Sequence, residues 1–199
     1  METLRPWLGW ALACYDAVYR ARHHLDTPES EIGPCLRIEL RPSPWTFRFA
    51  DGSVVRRGDQ IGTLHLNNDA VVALHADGLT PMAIGLQFRR NIFVSLRILA
   101  QRVLHDPRFA DVHALCATTI LHAHMRRRLG FEVEPGALLS PRLVALYQRT
   151  LLTWLHPAGR LRLRGCDFGT AARLWLSCAT LIARYGGEAA KARGGREAA

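Results

Sequence analysis

The 199-residue sequence predicts a single α+β domain: an antiparallel β-meander over about residues 35–67, packed with five or six α-helices. Three observations predict it. Apolar and polar residues alternate at period two between Leu36 and Leu66, apolar residues recur at helical spacing on both sides of that segment, and every segment before residue 186 offers an apolar face that needs the others for burial. A hydrophobic fraction of 49% with 22% charged residues is the balance of an ordinary packed chain, which argues against a disordered or fibrous architecture.

The first element is an amphipathic helix from residue 4 to about 24, because Leu4, Leu8, Ala11, Tyr15, Val18 and Tyr19 fall on one face; it ends near Leu25, ahead of Pro28. The apolar run Leu8 to Cys14 is shorter than the roughly 20 residues that a membrane helix needs, and no cationic leader precedes it. The chain is therefore expected to lack a transmembrane segment. Peripheral membrane contact through an amphipathic helix stays open.

The pattern then changes to period two. Leu36, Ile38 and Leu40 alternate with Arg37, Glu39 and Arg41, and Trp45, Phe47 and Phe49 alternate with Thr46, Arg48 and Ala50. Asp51-Gly52 reads as a hairpin turn, since glycine tolerates the positive φ that such turns require. A second turn at Gly58-Asp59 separates Val54-Val55 from a strand over Ile61 to Leu66, so four strands form the meander.

Asn67 or Asn68 caps a short helix from Asp69 to about Ala76, and Thr80-Pro81 opens a long one to about His105. Gly85, Phe88, Ile92, Leu96, Leu99 and Val103 mark its packed face, with Arg90 and Arg97 turned away. A strand over residues 111–117 follows, then a helix from Thr118 or Thr119 through Arg128, ended by Gly130 before an extended Phe131-Glu132-Val133. Ser140-Pro141 begins the next helix, to about Leu155; His156 to Gly159 form a turn, and Arg160 to Arg164 alternate as a strand. The last helix is expected from about Thr170 to Tyr185, with Ala171, Leu174, Cys178, Leu181, Ile182 and Tyr185 inward. The domain thus spans residues 1–186, and 187–199, rich in glycine, alanine and charge, read as a disordered tail.

The formal charge of +9 would attract phosphate-bearing partners, but only Lys191 among the 26 basic residues is a lysine. So arginine-heavy a composition is what GC-rich codon usage produces, and a generic basic surface explains it. The five cysteines are odd in number and none forms a C-x-x-C pair, which excludes a disulfide framework or zinc knuckle and suits a reducing, cytoplasmic setting.

Taken in order, Tyr15-Asp16-Ala17-Val18-Tyr19-Arg20, the run from Asp51-Gly52-Ser53-Val54-Val55 through Gly58-Asp59-Gln60-Ile61-Gly62 to His65-Leu66-Asn67-Asn68, and Leu174-Trp175-Leu176-Ser177 resemble the YkoP-like domain family of bacteria. The hairpin run is the most specific element. The resemblance implies an α+β fold over most of residues 5–186 and a setting among envelope-polysaccharide proteins, some of which carry a polysaccharide deacetylase domain. It supplies no catalytic residues.

The residues themselves point to one candidate site. Alternation puts Thr63, His65 and Asn67 on the face opposite Leu64 and Leu66, at a strand-to-helix junction where Asn68 and free helix amides favour an anion. An imidazole there can serve as donor or general base. The plainer reading is a surface-exposed His65 beside two capping asparagines. Arg89, at the shoulder of the long helix's apolar face, is expected near the core boundary, where a guanidinium needs an acidic partner or a bound anion.

Other motifs carry less. His122 and His124 diverge by about 200° if helical, His23-His24 fails for the same kind of reason, and H-E-x-x-H is absent, so neither a metal nor a cofactor is expected. Arg126 to Arg128 compensate a helix dipole. Leu129-Gly130-Phe131 occurs in GCN-related acetyltransferases, but the pyrophosphate loop of that class is missing. There is no P-loop, dinucleotide fingerprint or nucleophile elbow, and Ser177-Cys178 reads as mid-helix.

The expected function is a non-catalytic ligand-binding or accessory module linked to envelope-polysaccharide or lipid-linked sugar metabolism, with Thr63, His65, Asn67, Asn68 and Arg89 around an anionic or carbohydrate-linked ligand. Envelope-polysaccharide enzymes are the expected partners. One alternative is a small transferase or hydrolase using His65 as acid or base. Another, less favoured, is nucleic-acid binding through Arg160, Arg162 and Arg164.

Overall fold

In the computed structural model, residues 5–76, 79–120, 128–136, 138, 140–155 and 170–187 are described. Their elements are α1 (Arg5–Arg22), β1 (Glu31–Ile32), β2 (Leu36–Pro42), β3 (Phe47–Arg48), β4 (Val54–Val55), β5 (Gln60–Leu66), α2 (Asn68–Ala76), α3 (Pro81–His105), a 3-10 turn (Pro107–Phe109), β6 (Ala114–Thr119), β7 (Glu132–Glu134), α4 (Pro141–Leu155), β8 (Ala172–Ser177) and α5 (Cys178–Tyr185). Helices and strands mix in one chain as the α+β reading expects.

Six strands form a sheet in the order β1-β2-β5-β6-β8-β7, and β3 and β4 form a separate two-stranded ribbon. The strands between residues 36 and 66 lie where the alternation places them, but they are nested and do not form a simple meander. β2 pairs antiparallel with β5, Leu36 opposite Leu66 and Pro42 opposite Gln60, while the β3–β4 hairpin is an excursion between them. Periodicity locates strands but leaves open which neighbours pair. β5 and β6 pair in parallel, which requires a crossover; α2 and α3 supply it.

α3 begins as its sequence dictates. Thr80 Oγ1 accepts from the Ala83 N–H at 3.3 Å and Pro81 occupies the first turn, where its missing N–H costs nothing. Ile92, Leu96, Leu99 and Ala100 are buried, and they pack with Leu181 and Tyr185 of α5 against Leu36, Ile38, Leu64, Leu115, Leu174 and Leu176 of the sheet. This face is tight. A Cβ on Gly62 would stand 2.6 Å from Ile38 Cδ1 and 2.9 Å from Leu115 Cδ2, so any larger residue there must push these side-chain ends aside.

The opposite face of the sheet is split. Near the β3–β4 hairpin, Phe47, Phe49, Val55, Ile61, Ala114, Cys116 and Trp175 form a second core, with Phe47 stacked on Trp175 at 5.2 Å. Arg173 lies 3.4 Å over the Trp45 ring and donates to Glu134 at 3.1 Å, and Trp175 Nε1 donates to the same carboxylate oxygen at 2.7 Å. Toward the other edge the sheet carries polar side chains.

The end of the chain corrects the sequence reading. Residues 172–177 are a strand, and only Cys178–Tyr185 are helical. Leu174, Leu181 and Tyr185 fit a helical stripe, but Arg173, Leu174, Trp175, Leu176 and Ser177 are buried consecutively, because β8 lies between β6 and β7 and is covered on both faces. A short continuous apolar run does not distinguish such a strand from a buried helix. Ser177 is accordingly not mid-helix: its Oγ accepts from the Thr180 N–H at 3.1 Å as an N-cap.

Elsewhere the boundaries move by a few residues. α1 stops at Arg22 and His24 takes a left-handed φ of 52°, which reverses the chain and carries Asp26 back toward the sheet. The 111–117 strand is seated at 114–119. Arg128 and Leu129 are helical, and Gly130 follows with a φ of 85°. Residues 121–127, with His122, His124, Arg126 and Arg127, the turn at 156–159, the Arg160–Arg164 segment and the tail from 188 lie outside the described residues.

Candidate binding site beneath the first helix

Alternation on β2 and β5 sends Arg37, Glu39 and Arg41, and with them Thr63 and His65, to the face opposite the α3 core. Register sets Arg37 across from His65 and Glu39 across from Thr63. α1 lies over this face and contributes Asp16, Tyr19 and Arg20 from one side, and His23 follows on that side just past its end. The chain after α1 adds Asp26, and the start of α2 adds Asn68 and Asp69.

At the centre is Glu39. Its Oε1 lies 3.1 Å from His23 Nδ1, and its Oε2 lies 3.6 Å from His65 Nε2, longer than a hydrogen bond. Burial pushes the carboxyl up, but the flanking imidazoles of His65 and His23, with Arg41 beyond, outweigh it and hold Glu39 at about 2. Tyr19 covers both histidines, with its ring 4.2 Å from that of His23 and edge-on to His65 at 5.7 Å. Burial, then the Glu39 charge, raises the Tyr19 phenol, which stays protonated.

Around Glu39 runs a ring of ion pairs. Arg37 donates to the Leu25 carbonyl at 2.9 Å and to Asp26 Oδ1 at 2.6 Å, and its other terminal nitrogen lies 3.8 Å from Glu31 and 3.9 Å from Asp69. Arg20 reaches Asp69 at 2.7 Å, Asp16 at 3.4 Å and Asp26 at 3.5 Å. Asn68 Nδ2 donates to Asp16 Oδ1 at 2.9 Å. The carboxylates of this ring outnumber its guanidiniums. Arg37, His65, Glu39 and His23 retain side-chain exposures of 10%, 15%, 18% and 21%, so the cluster is half-buried and still wetted at its rim.

Among the buried polar atoms of the layer that have no hydrogen-bond partner among the described residues are the Thr63 hydroxyl, Arg41 Nε, Arg20 Nε and Arg37 Nε, together with Glu39 Oε2 and His65 Nε2, which face each other at 3.6 Å. Arg41 also lies 5.4 Å over the Trp45 ring, linking the polar layer to the aromatic cluster of the hairpin. At the α1 end, Tyr15 is half-exposed and stands edge-on to Tyr147 of α4 at 5.4 Å and beside Tyr19 at 6.1 Å.

The structure brings together Thr63, His65 and Asn68 of the residues singled out in the sequence. His65 is not a surface histidine but faces Glu39 and Tyr19. Asn67 caps α2, its Oδ1 accepting from the Ala70 N–H at 3.4 Å while its own N–H donates to the Cys35 carbonyl. Arg89 stands apart. It is exposed, 5.7 Å over the Phe93 ring, on the helix that covers the opposite face of the sheet, so its expected place at the core boundary is corrected.

Sequence reasoning passed over Glu39, His23, Tyr19, Arg37 and Asp16. The signal was present: Glu39 is the lone acid in an Arg-x-Glu-x-Arg alternation, and Asp16, Tyr19, Arg20 and His23 recur at helical spacing. Among the described residues no group of three or more His, Cys, Asp or Glu is arranged to hold a metal. Burial pushes the Cys35 thiol up to about 11 and those of Cys116 and Cys178 to about 12, so they pack as apolar groups. No described helix is long and apolar enough to cross a membrane. A cavity of about 300 Å³ lies away from the polar layer, at the C-terminal end of α3, between Val103 and Ala110.

No curated protein and no solved structure matches the chain. The model of the YkoP domain matches residues 5–185, which takes in both faces of the sheet and the whole polar layer, and the chain therefore belongs to the YkoP domain family.

Proposed function

We propose that the domain is a non-catalytic binding module for a carbohydrate-linked ligand, acting as an accessory in envelope-polysaccharide or lipid-linked sugar metabolism. The observation that carries this reading is the half-buried layer in which Glu39, held ionised between His23 and His65, adjoins a buried Thr63 hydroxyl without a partner. Fixed planar acceptors and donors beside an exposed tyrosine suit a sugar, whose hydroxyls pair with the polar groups and whose C–H face covers the ring. The excess of carboxylates in the ring favours a neutral sugar moiety over a bare phosphate. Free Cys14, Cys35, Cys116 and Cys178 fit a reducing, cytoplasmic location, and residues 1–186 read as one domain.

A titration tests it. Chitotetraose and uridine-diphosphate N-acetylglucosamine, added to the full chain, are expected to perturb the amide resonances of Thr63, His65 and Asn68, and His65→Ala with Asn68→Ala to weaken binding about tenfold. Absence of binding to either probe, or binding that the double variant leaves unchanged, would overturn the reading.

A second reading has one observation in its favour. The Glu39 carboxylate 3.6 Å from His65 Nε2 is the pairing that a general base uses. It predicts turnover of an activated glycoside ester that His65→Ala abolishes. Sharing of Glu39 with His23 and the edge of Tyr19 over His65 place it second.

A further inference from the structure

We infer that the N-terminal half of α3 is a docking surface for an anionic lipid bilayer. On its first turns Met82 is 77% exposed and Leu86 59% exposed, although both are large apolar side chains and the rest of the helix buries such residues. Helical spacing puts Met82 and Leu86 on one outward line, and the exposed Arg89 and Arg90 flank that line on its two sides. The Pro81–His105 helix contains Arg89, Arg90, Arg97 and Arg102 and no acidic residue. An apolar ridge with arginines on both shoulders is the pattern of a helix lying in a bilayer interface, the apolar tips entering the acyl boundary and the guanidiniums meeting headgroup phosphates.

Charge selects the occupant. A second copy of the chain would set Arg89 and Arg90 against their own counterparts, which repel. A nucleic acid would use the arginines but leave Met82 and Leu86 in water. An anionic bilayer engages both, and the net charge of +9 draws the chain toward it. α3 covers the face opposite Glu39 and His65, so docking leaves the polar layer accessible, and the inference stands independently of the sugar reading.

Flotation of the full chain with vesicles of phosphatidylcholine alone, or containing about 30% phosphatidylglycerol, tests it. Binding is expected to the anionic vesicles only. Met82→Ser with Leu86→Ser should lower it about tenfold, and Arg89→Glu with Arg90→Glu should abolish it. Arg56→Glu with Arg57→Glu makes the same charge change on the exposed turn before β5 and should leave binding in place. No binding to anionic vesicles, equal loss in both arginine variants, or indifference to the Met82/Leu86 change would each overturn the inference. So would self-association that the Met82/Leu86 variant abolishes in a chain that does not bind vesicles.

Discussion

The two faces of the central sheet are built from the same strands and obey different rules. Against α3 and α5, Leu36, Ile38, Leu64, Leu174 and Leu176 meet Leu96, Leu99 and Leu181 in a dry core, and a Cβ on Gly62 would crowd Ile38 and Leu115. Against α1, the intervening residues Arg37, Glu39, Thr63 and His65 meet Asp16, Tyr19, Arg20 and His23. Ionised groups half-removed from water gain from their partners about what they lose in hydration, so the second arrangement contributes little net stability. The dry face holds the fold, which leaves the polar face free for the recognition proposed above.

Substitutions separate the two roles. The largest effect is expected on the dry face, where Leu99→Ala leaves a cavity in a fully buried site and should cost about 3–4 kcal/mol in denaturant unfolding. Gly62→Ala forces Ile38 or Leu115 aside and should cost about 1–3 kcal/mol by the same assay. On the polar face Glu39→Ala leaves two imidazoles without their shared acceptor, with an expected loss of about 1–2 kcal/mol. Ser177→Ala removes only the cap of α5, at about 1 kcal/mol.

Acidity should act on the polar face through Glu39. Glu39 ionises at about 2 in the folded protein against an ordinary 4.5, so its contribution is complete above about 4.5 and is lost as pH falls toward 2. Unfolding midpoints followed across that window should decline less in Glu39→Gln than in the natural chain. Equal declines would place the acid sensitivity elsewhere.

Much of the dry face was legible in the sequence, because burial on one side of a helix or strand prints a period: the capped start of α3 at Thr80-Pro81, the strand ending at Leu66 and the short helix after Asn67 all lie where spacing puts them. β8 was not legible, since a strand covered on both sides prints no period. The polar face was half legible. Thr63, His65 and Asn68 share a local junction, but His23 and Glu39 reach it from just past the end of α1 and from β2, and Arg89 is carried to the far side by the helix it belongs to. Contacts between distant segments depend on register and packing, which one sequence read by spacing does not contain.

On the proposed reading, the layer around Glu39 serves recognition and not stability. Denaturant unfolding of the variant His23→Leu, Glu39→Leu, His65→Leu tests it most directly, since the carboxylate and the two imidazoles that face it are replaced together by apolar groups. Stability equal to or above that of the natural chain, with the Leu99→Ala loss undiminished in the same background, is the predicted result. A loss of about 3 kcal/mol or more in the triple variant would contradict it and make the polar face a part of what holds the fold.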